Sequence, residues 1–355
     1  MPKPSLIVID GSSILTTQYY GTLPDPIRYT KSEEMKLMMQ PMIRHNSQGV
    51  FTNAISGTLN TIFRILQRQQ PTYLAVVLDQ TRNTFRRELY PQYKGNRKET
   101  PAPLKEQIIT LQQILTNIGI CVLSSSTFEA DDLAGSILKR FEGDDLDTFF
   151  MTKDHDYLQL VNSYTSGYML QSSVGQVEVF YGGITNVPKN IPYKTILYTT
   201  DVVQKMEGVD PNQVPDLKGI AGDSSDNIPG VKGVSTAAIP LLKKYGSIEG
   251  IYSAIALCNN DAKAEKELDA SWKTSLGIRG GHVKKFKENK DVALLSKKLA
   301  TIVTDAPIPR KLSDYAIGFN TAKALSVIDT YELGELKEEF PVLLGLQTSK
   351  ATDWM

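Results

Sequence analysis

The sequence predicts an α/β protein in which helices flank a mostly parallel central sheet. Four apolar runs without polar alternation are typical of strands buried on both faces of a parallel sheet: residues 6–9, 73–78, 120–123 and 148–151. Segments with apolar residues at helical spacing lie between them, as at 56–67 and 104–118. Because strands that alternate with helices form βαβ units with right-handed crossovers, the strands are expected to run parallel.

Chain length and the loss of this pattern predict two domains and a tail. At 355 residues, 41% of them hydrophobic, the chain is long enough for two cores. Beyond Val161 the pattern loosens into short β-like runs at 168–170 and 177–181, and we place a domain boundary near Tyr198. A helix is predicted near 236–245. The predicted units are therefore residues 1–197, residues 198–305 and a C-terminal tail, 306–355, that is irregular from Pro307 onward.

Composition limits the partners and the cellular environment expected for this chain. Lysine plus arginine and aspartate plus glutamate are equal at 39 each, so no global field draws the protein onto nucleic acid or an anionic membrane. The two cysteines, Cys121 and Cys258, are too few for a disulfide scaffold, and we interpret Cys121 as a core residue. No apolar run reaches the ~20 residues needed to cross a bilayer, and the N-terminal run is too short for a signal peptide. We expect a soluble cytoplasmic protein with no membrane partner.

Acidic residues follow three of the predicted strands. Asp10, Asp79 and Asp154 each stand where a strand ends, and residues 129–132 place Glu129, Asp131 and Asp132 at the start of a helix. In open parallel sheets the binding crevice lies beyond the carboxyl ends of the strands, so these acids are expected at one edge. Hard oxygen ligands without histidine or thiolate select Mg²⁺ or Mn²⁺.

Each acid taken singly has a simpler interpretation. Asp10 with Gly11 fits a turn, and Asp79 or Asp156 fits a helix N-cap. Carboxylates in a first helical turn also complement the helix dipole, by roughly 0.3–1 kcal/mol each when exposed. A shared metal site accounts for the whole set, and we expect loss of Glu129, Asp131 and Asp132 to reduce catalysis far more than stability.

A basic stretch follows Asp79. Residues 81–98 contain six basic and three aromatic side chains. Cations suit a phosphodiester backbone and aromatic rings suit base stacking, so the stretch favours single-stranded nucleic acid over a merely solvated loop.

A second motif is the glycine-rich segment 222–234, where glycines around residues 231–232 predict a tight hairpin ahead of a helix, with backbone N–H groups free for phosphate. It has neither the Walker nor the GxGxxG spacing.

Five motifs occur in a fixed order over roughly residues 6–304. They are VIDGSS at 8–13, VLD at 77–79 with TFR at 84–86 and YKGNR at 93–97, EADD at 129–132, TKDHD at 152–156 and GDSSDNIPG at 222–230. With these motifs the chain resembles the 5′-nuclease family, which includes the N-terminal domain of bacterial DNA polymerase I and the phage flap endonucleases and exonucleases. The resemblance implies a PIN-like α/β catalytic domain (1–197), a helix-three-turn-helix DNA-binding region (198–305) and divalent-metal-dependent hydrolysis of DNA at or near a 5′ end.

The resemblance also implies roles for individual residues. Two Mg²⁺ or Mn²⁺ ions are expected to bind nine carboxylates: Asp10, Asp79, Glu129, Asp131, Asp132, Asp154, Asp156, Asp223 and Asp226. The last four of these are expected to contribute mainly to the second ion. An arch-like segment, residues 84–103, would place Arg86, Lys94 and Arg97 on the 5′ strand or the scissile phosphate. Contacts to DNA are expected at Arg82, Tyr93, Gly230, Lys232, Gly233, Lys243 and Lys244. A K⁺ ion is expected on the backbone carbonyls of the hairpin.

Three departures from the family pattern stand out. Thr17 replaces an arginine of many polymerase I members, and Ser235 replaces the second glycine of the hairpin motif. Residues 25–42 look like an insertion, in which Met35, Met38, Met39 and Met42 have helical spacing. We expect this methionine stripe to pack onto the body, with a lid over the site as the alternative.

The predicted activity is phosphodiester hydrolysis of a 5′-flapped, nicked or 5′-ended duplex, without a covalent intermediate or an organic cofactor, by a free-standing monomer. Two other functions remain open at this point. The departures at Thr17 and Ser235 allow a DNA-binding module that has lost catalysis, although such a module gains nothing from nine acids. A ribonuclease of the wider PIN group is the third candidate, but that group lacks the hairpin.

Overall fold

Six strands form one sheet in the computed structural model, which describes residues 3–346. The strands are β1 (Ser5–Asp10), β2 (Tyr73–Asp79), β3 (Cys121–Ser125), β4 (Asp147–Thr152), β5 (Thr165–Leu170) and β6 (Thr195–Tyr198). Their order across the sheet is β3-β2-β1-β4-β5-β6, and only the β5–β6 pair is antiparallel. The mostly parallel α/β fold predicted from the sequence is confirmed.

The chain reverses its direction of travel across the sheet at β1. From β1 it moves outward through β2 to β3, and then returns to place β4 on the other side of β1. In open sheets such a switch point opens a crevice beyond the carboxyl ends of the two neighbouring strands. Asp10 and Asp154 lie at the ends of these strands.

Helices cover both faces of the sheet and form the rest of the described chain. In the first half they are α1 (Gly11–Gly21), α2 (Asp25–Tyr29), α3 (Glu33–Met38), α4 (Asn53–Arg68), α5 (Phe85–Leu89), α6 (Ala102–Asn117), α7 (Ala130–Phe141) and α8 (Val174–Tyr181). In the second half they are α9 (Thr200–Glu207), α10 (Val214–Ala221), α11 (Ser235–Tyr245), α12 (Ile248–Ala256), α13 (Ala262–Leu276), α14 (Val283–Glu288), α15 (Lys290–Ala300), α16 (Thr321–Thr330) and α17 (Glu335–Glu339).

Alternate residues of the strands point to opposite faces of the sheet and pack into two hydrophobic cores. On one face Leu6 and Val8 of β1 pack with α7, and this core continues into the helices α10 to α15. On the other face Ile7 and Ile9 pack with α1, α4 and α6. Since each strand is buried on both faces, its sequence shows no polar alternation.

The predicted β-like run at 177–181 is wrong, because these residues end helix α8. The hydroxyl of Ser173 accepts a hydrogen bond from the N–H of Gln176, and the side-chain oxygen of Gln176 accepts one from the N–H of Ser173. This capping box starts the helix. Gly182, with φ of 75°, ends it. These capping residues outweigh the β propensity of the valines and aromatics.

The expectation of an irregular tail is also wrong over residues 321–339, where α16 and α17 form. The ring of Phe63 in α4 meets the edges of Phe319 and Phe340, with ring centroids 5.6 Å apart in both pairs. An ion pair of 2.6 Å joins Arg44 to Glu335. The tail thus covers the α4 face of the sheet; its last part, 347–355, lies outside the described residues.

The insertion at 25–42 does not pack as predicted. Met35, Met38 and Met42 are 52%, 77% and 52% exposed, and only Met39 of the stripe lies against the core. Helix α3 has six residues and gives way to a 3-10 turn at Gln40–Met42, so the helical phase of the stripe is lost. No helix within residues 3–346 is long and apolar enough to cross a membrane.

Candidate metal and nucleic-acid site

At the switch point a hydrogen-bond network joins the carboxylate of Asp10 to the backbone of Asp154. Asp10 Oδ1 accepts from the N–H of Ser13 at 2.9 Å, and its Oδ2 accepts from the hydroxyl of Thr152 at 2.7 Å. The Thr152 hydroxyl in turn accepts from the N–H of Asp154. Burial, together with the charges of Asp79 and Asp154, raises the pKa of Asp10 to about 7.

A third strand end is tied to the start of α7. The N–H of Asp79 donates to Ser12 Oγ at 2.7 Å, and Asp79 Oδ1 accepts from the N–H of Ala130 at 2.9 Å. Glu129 is the N-cap of this helix, so its carboxylate and that of Asp79 lie at the same helix terminus. The predicted meeting of acids from several segments at one sheet edge therefore occurs.

Asp131 and Asp132 are neighbours with different environments. The half-buried Asp131 has one oxygen bonded to the N–H of Asp132. Burial, with the charges of Asp132 and Glu129, raises the pKa of Asp131 well above its ordinary value. Asp132 is fully buried, and its two oxygens accept from the N–H of Glu129, from the N–H of Val303 and from both terminal nitrogens of Arg86.

The burial of Arg86 contradicts the expectation that it touches the substrate. Its side chain is 1% exposed and donates to Asp132 at 2.7 Å twice, and to the carbonyls of Leu299 and Thr301 at 2.9 Å. Arg86 thus joins the arch-like segment to α7 and to the chain after α15. Asp132, whose oxygens are taken up by these contacts, supports the site from inside rather than facing it.

The middle of the arch-like segment folds onto the acids. Lys94 Nζ lies 2.8 Å from Glu129 and 3.6 Å from Asp226, and the N–H of Lys94 donates to the carbonyl of Asp226. Arg97 pairs with Asp226 as well. Burial disfavours the charge of Glu129, but Lys94 and Arg86 outweigh it and lower the pKa of that carboxyl.

Tyr93 does not offer its ring to a base, contrary to the sequence expectation. The side chain is 3% exposed and packs with Ile228 and Leu299. Its hydroxyl donates to Glu129 at 3.2 Å or to Asp226 at 3.3 Å. Tyr93 therefore braces two carboxylates against each other.

The acids from the second half meet the first half through a lysine that the sequence interpretation missed. Lys218 of α10 pairs with both Asp156 and Asp223, at 2.6 Å from the latter. Burial opposes ionisation of Asp223, but Lys218 and Ser225 outweigh it and lower the pKa to about 2. An open cavity of about 400 Å³ lies here, lined in part by Asp154, Asp156, Lys218 and Asp223. No metal-ligand spacing marks Lys218 in the sequence; only its contacts identify it.

We call the nine predicted carboxylates together the acid rim. Within residues 3–346 no three acidic, histidine or cysteine side chains are grouped closely enough to hold a metal ion. Lys94, Arg97 and Lys218 pair with members of the acid rim. The donors are hard oxygens, and the raised pKa values of Asp10 and Asp131 arise from burial among like charges. A divalent cation would relieve that repulsion, so the residues fit Mg²⁺ or Mn²⁺.

The glycine hairpin lies at the start of α11. Gly230 and Gly233 have φ of 61° and 75°, and a Cβ on Gly230 would fall 2.2 Å from the backbone N of Gly222. Lys232 is exposed between them, while Lys285 donates to the Gly233 carbonyl at 2.9 Å. Lys243 and Lys244 are exposed at the other end of the helix, about 15 Å along its axis by helical rise.

Arg82 lies on the exposed side of the arch-like segment. Its guanidinium donates to the hydroxyl of Thr100 at 3.0 Å and to the carbonyl of Arg97 at 3.4 Å. On the same side Lys98 pairs with Glu33 of the insertion at 2.8 Å. Arg82 is thus exposed and bonded only within the arch-like segment among the described residues, while Lys98 ties the insertion to that segment.

Comparison with known proteins gives the same picture. The family model "5′-3′ exonuclease, N-terminal resolvase-like domain" matches residues 5–183, and the "5′-3′ exonuclease, C-terminal SAM fold" model matches residues 209–323. DNA polymerase I of Caldicellulosiruptor bescii is 34% identical over 312 residues, and that of Bacillus caldotenax is 31% identical over 315. These matches cover 87% and 88% of this chain, but the chain spans only 30% of either relative.

Solved structures share the fold at low identity. T5 5′-exonuclease with bound zinc matches with a TM-score of 0.54 at 17% sequence identity, and the match covers 94% of this chain and 98% of the T5 chain. The catalytic core of Rad2 with a DNA substrate has a TM-score of 0.56 at 16% identity, covering 96% and 93%. With a model matched over half its length and both halves recognised in order, the chain belongs to the 5′-3′ exonuclease family.

Proposed function

We propose that this chain is a divalent-metal-dependent 5′ nuclease that hydrolyses DNA at or near a 5′ end, on a duplex with a 5′ flap, a nick or a free 5′ end. The observation that carries this proposal is the acid rim itself, built at the switch point of the sheet and overlaid by the cations of the arch-like segment. The names of the structural neighbours support it: one is a T5 flap endonuclease complex with DNA and metal ions.

The acid rim has the donors for two Mg²⁺ or Mn²⁺ ions. Asp10, Asp79, Glu129 and Asp131 would hold one ion, and Asp154, Asp156, Asp223 and Asp226 would contribute to the second. Two such ions would supply activation of a water and stabilisation of the leaving 3′ oxygen. Asp132 is left out of this set because Arg86 and two backbone N–H groups occupy it.

The chain's own cations act on the phosphate. Lys94 and Arg97 lie at the acid rim on a segment that is partly exposed, so each can exchange a carboxylate for a phosphate oxygen of the 5′ strand. Water adds to phosphorus, the bond from phosphorus to the 3′ oxygen breaks, and that oxygen takes a proton. The products are a 3′-hydroxyl and a 5′-phosphate.

The second region would hold the duplex. Lys232 is exposed at the hairpin and the N-cap of α11, Val234, has no side-chain cap, so a phosphate can approach the glycine backbone and the start of this helix. We expect Lys232→Gln to lower the slope of log affinity against log salt by about one. Lys244→Gln, at the far end of the helix, tests whether that end also contacts DNA.

The experiment is a product-length assay on a labelled 5′-flap duplex. Cleavage in Mg²⁺ that EDTA abolishes is expected, and the product lengths separate exonuclease from flap-endonuclease action. A salt-sensitive gel shift without cleavage in Mg²⁺ or Mn²⁺ would instead indicate a DNA-binding module. Preferential cleavage of a matched RNA flap would indicate a ribonuclease.

A further inference from the structure

The short helix α14 carries three lysines that the proposed function does not use: Lys284, Lys285 and Lys287. Two of them are paired with carboxylates. Lys284 Nζ lies 3.6 Å from Glu288, and Lys287 pairs with Glu265. Within residues 3–346 Lys285 has no carboxylate partner, and its Nζ donates instead to the backbone carbonyl of Gly233 in the glycine hairpin, at 2.9 Å.

The contact of Lys285 with the hairpin depends on the glycine. Gly233 has a φ of 75°, and a Cβ built at this position would lie 3.2 Å from Lys285 Nζ and 3.9 Å from its Cε. The ammonium therefore lies on the side of the hairpin where any other residue would carry its side chain. Because glycine leaves this side open, the positive charge lies directly against the hairpin backbone.

Buried packing fixes the place of α14 relative to the hairpin. Val283 and Phe286 of the helix are fully buried, and they belong to the same core as Val231 and Val234 of the hairpin. The hydroxyl of Tyr252 also donates to the carbonyl of Phe286, at 3.1 Å. The root of the Lys285 side chain is thus held by the core and its tip by the Gly233 carbonyl, which lowers the entropy lost when a ligand binds.

The ammonium of Lys285 retains donors for a ligand. It has three N–H groups, and the Gly233 carbonyl accepts from one of them. That carbonyl is neutral, so within the described chain the charge of Lys285 is not compensated by a paired acid. The side chain is half-buried, and the exposed Lys232 is the neighbour of Gly233 along the chain. Two cations from separate elements therefore meet at one hairpin, an arrangement that suits an anion with several oxygens, such as a phosphate.

We propose that Lys285 is a DNA-binding residue of the second region, whose ammonium, held by the Gly233 carbonyl, binds a phosphate of the duplex at the glycine hairpin. This inference rests on the proposed function, which places the duplex at the hairpin. A lysine that neutralises one phosphate of a duplex releases counterions, and this contributes about 0.9 to the slope of log affinity against log salt concentration.

The test is Lys285→Met, which removes the ammonium and keeps most of the unbranched stem. Binding of a labelled blunt duplex is measured by fluorescence anisotropy between about 50 and 200 mM KCl, in EDTA so that the proposed cleavage does not occur. We expect the slope of log affinity against log salt concentration to become shallower by about 0.9. Lys285→Arg retains the charge and should keep the wild-type slope.

The matched control is Lys284→Met. It removes the same charge from the same helix, but the Lys284 side chain is 81% exposed and pairs with Glu288, so the slope should equal that of the wild-type protein. Lower affinity at every salt concentration with a wild-type slope in Lys285→Met would mean that Lys285 only holds the hairpin, and would overturn the inference. An equal change of slope in the control would overturn it as well. No duplex binding by the wild-type protein at about 50 mM KCl would overturn the proposed DNA binding, and this inference with it.

Discussion

The guanidinium of Arg86 and the carboxylate of Asp132 form a bidentate ion pair inside the protein, with both N···O distances at 2.7 Å. The arginine is 1% exposed and the aspartate 0%. Backbone carbonyls of Leu299 and Thr301 and the N–H of Val303 complete the network. This pair connects three parts of the chain: the arch-like segment, the helix α7 and the segment that follows α15.

Replacing Asp132 by asparagine should therefore destabilise the protein. Asparagine leaves Arg86 as a buried cation without its full counter-charge, and breaking a buried pair costs about 3–5 kcal/mol. Urea unfolding of the metal-free protein measures this loss. This differs from the sequence expectation that losing Glu129, Asp131 and Asp132 together reduces catalysis far more than stability.

Asp131→Asn is the matched control for that measurement. Asp131 is half-buried, and the only hydrogen bond it accepts from the described residues comes from the N–H of Asp132. Its removal relieves like-charge repulsion, so stability in EDTA should hold or rise while cleavage of a 5′-flap duplex is lost. Equal urea midpoints for the two variants would contradict the distinction between them.

Lys94→Ala should slow cleavage more than it weakens DNA binding. Lys94 Nζ lies 2.8 Å from Glu129 of the acid rim, and in the proposed reaction it stabilises charge that develops on the phosphate. Loss of one preorganised donor at such a site typically costs about 10²–10³ in rate. Single-turnover cleavage measures it. Lys98→Ala is the control, because Lys98 is 78% exposed and pairs with Glu33 instead. A similar slowing in both variants would point to a general loss of positive charge.

Lys218→Gln should make stability depend more on Mg²⁺. Asp223 has its pKa lowered to about 2 from 3.8 in the folded state, so its contribution is present above about pH 3.8 and is lost as pH falls through 2. Without Lys218 most of this contribution, about 1–2 kcal/mol, is lost, while the hydrogen bonds from Ser225 remain. The variant should melt below wild type at pH 6–7 in EDTA, and the difference should narrow toward pH 2.

Added Mg²⁺ should then raise the melting temperature of Lys218→Gln more than that of the wild-type protein. A divalent cation can replace the missing counter-charge between Asp156 and Asp223. Differential scanning calorimetry across pH, with and without Mg²⁺, measures both effects. If Mg²⁺ raises the two melting temperatures equally, Lys218 does not share these carboxylates with a cation.

Phe340→Ala should show that the C-terminal helices are part of the fold. Phe340 is 3% exposed and meets Phe63 edge to face at 5.6 Å. Emptying such a site typically costs about 3–5 kcal/mol. Val342→Ala, at a side chain that is 36% exposed, should change the free energy of unfolding by well under about 1 kcal/mol. Unchanged urea unfolding of Phe340→Ala would mean that the tail is not coupled to the body.

Local patterns in the sequence were sufficient for part of the site. Asp10, Asp79 and Asp154 could be assigned to one edge because a parallel sheet brings its strand ends together, whatever the side-chain details. The same patterns failed at residues 177–181, where a capping box and Gly182 decide for a helix over β-like composition. They failed again at 321–339, where partners in α4, far away in sequence, stabilise the helices.

By itself the sequence determined the α/β class and the family, and it predicted the members of the acid rim, because periodicity, strand-end acids and motif order are local properties of the chain. Only the tertiary structure decided which members of the set face outward. Asp131 and Asp132 are adjacent, yet the second is taken up by Arg86. Lys218 reaches the rim through contacts that no spacing encodes. Burial and pairing depend on residues distant in sequence, and these set the charge and freedom of each carboxylate.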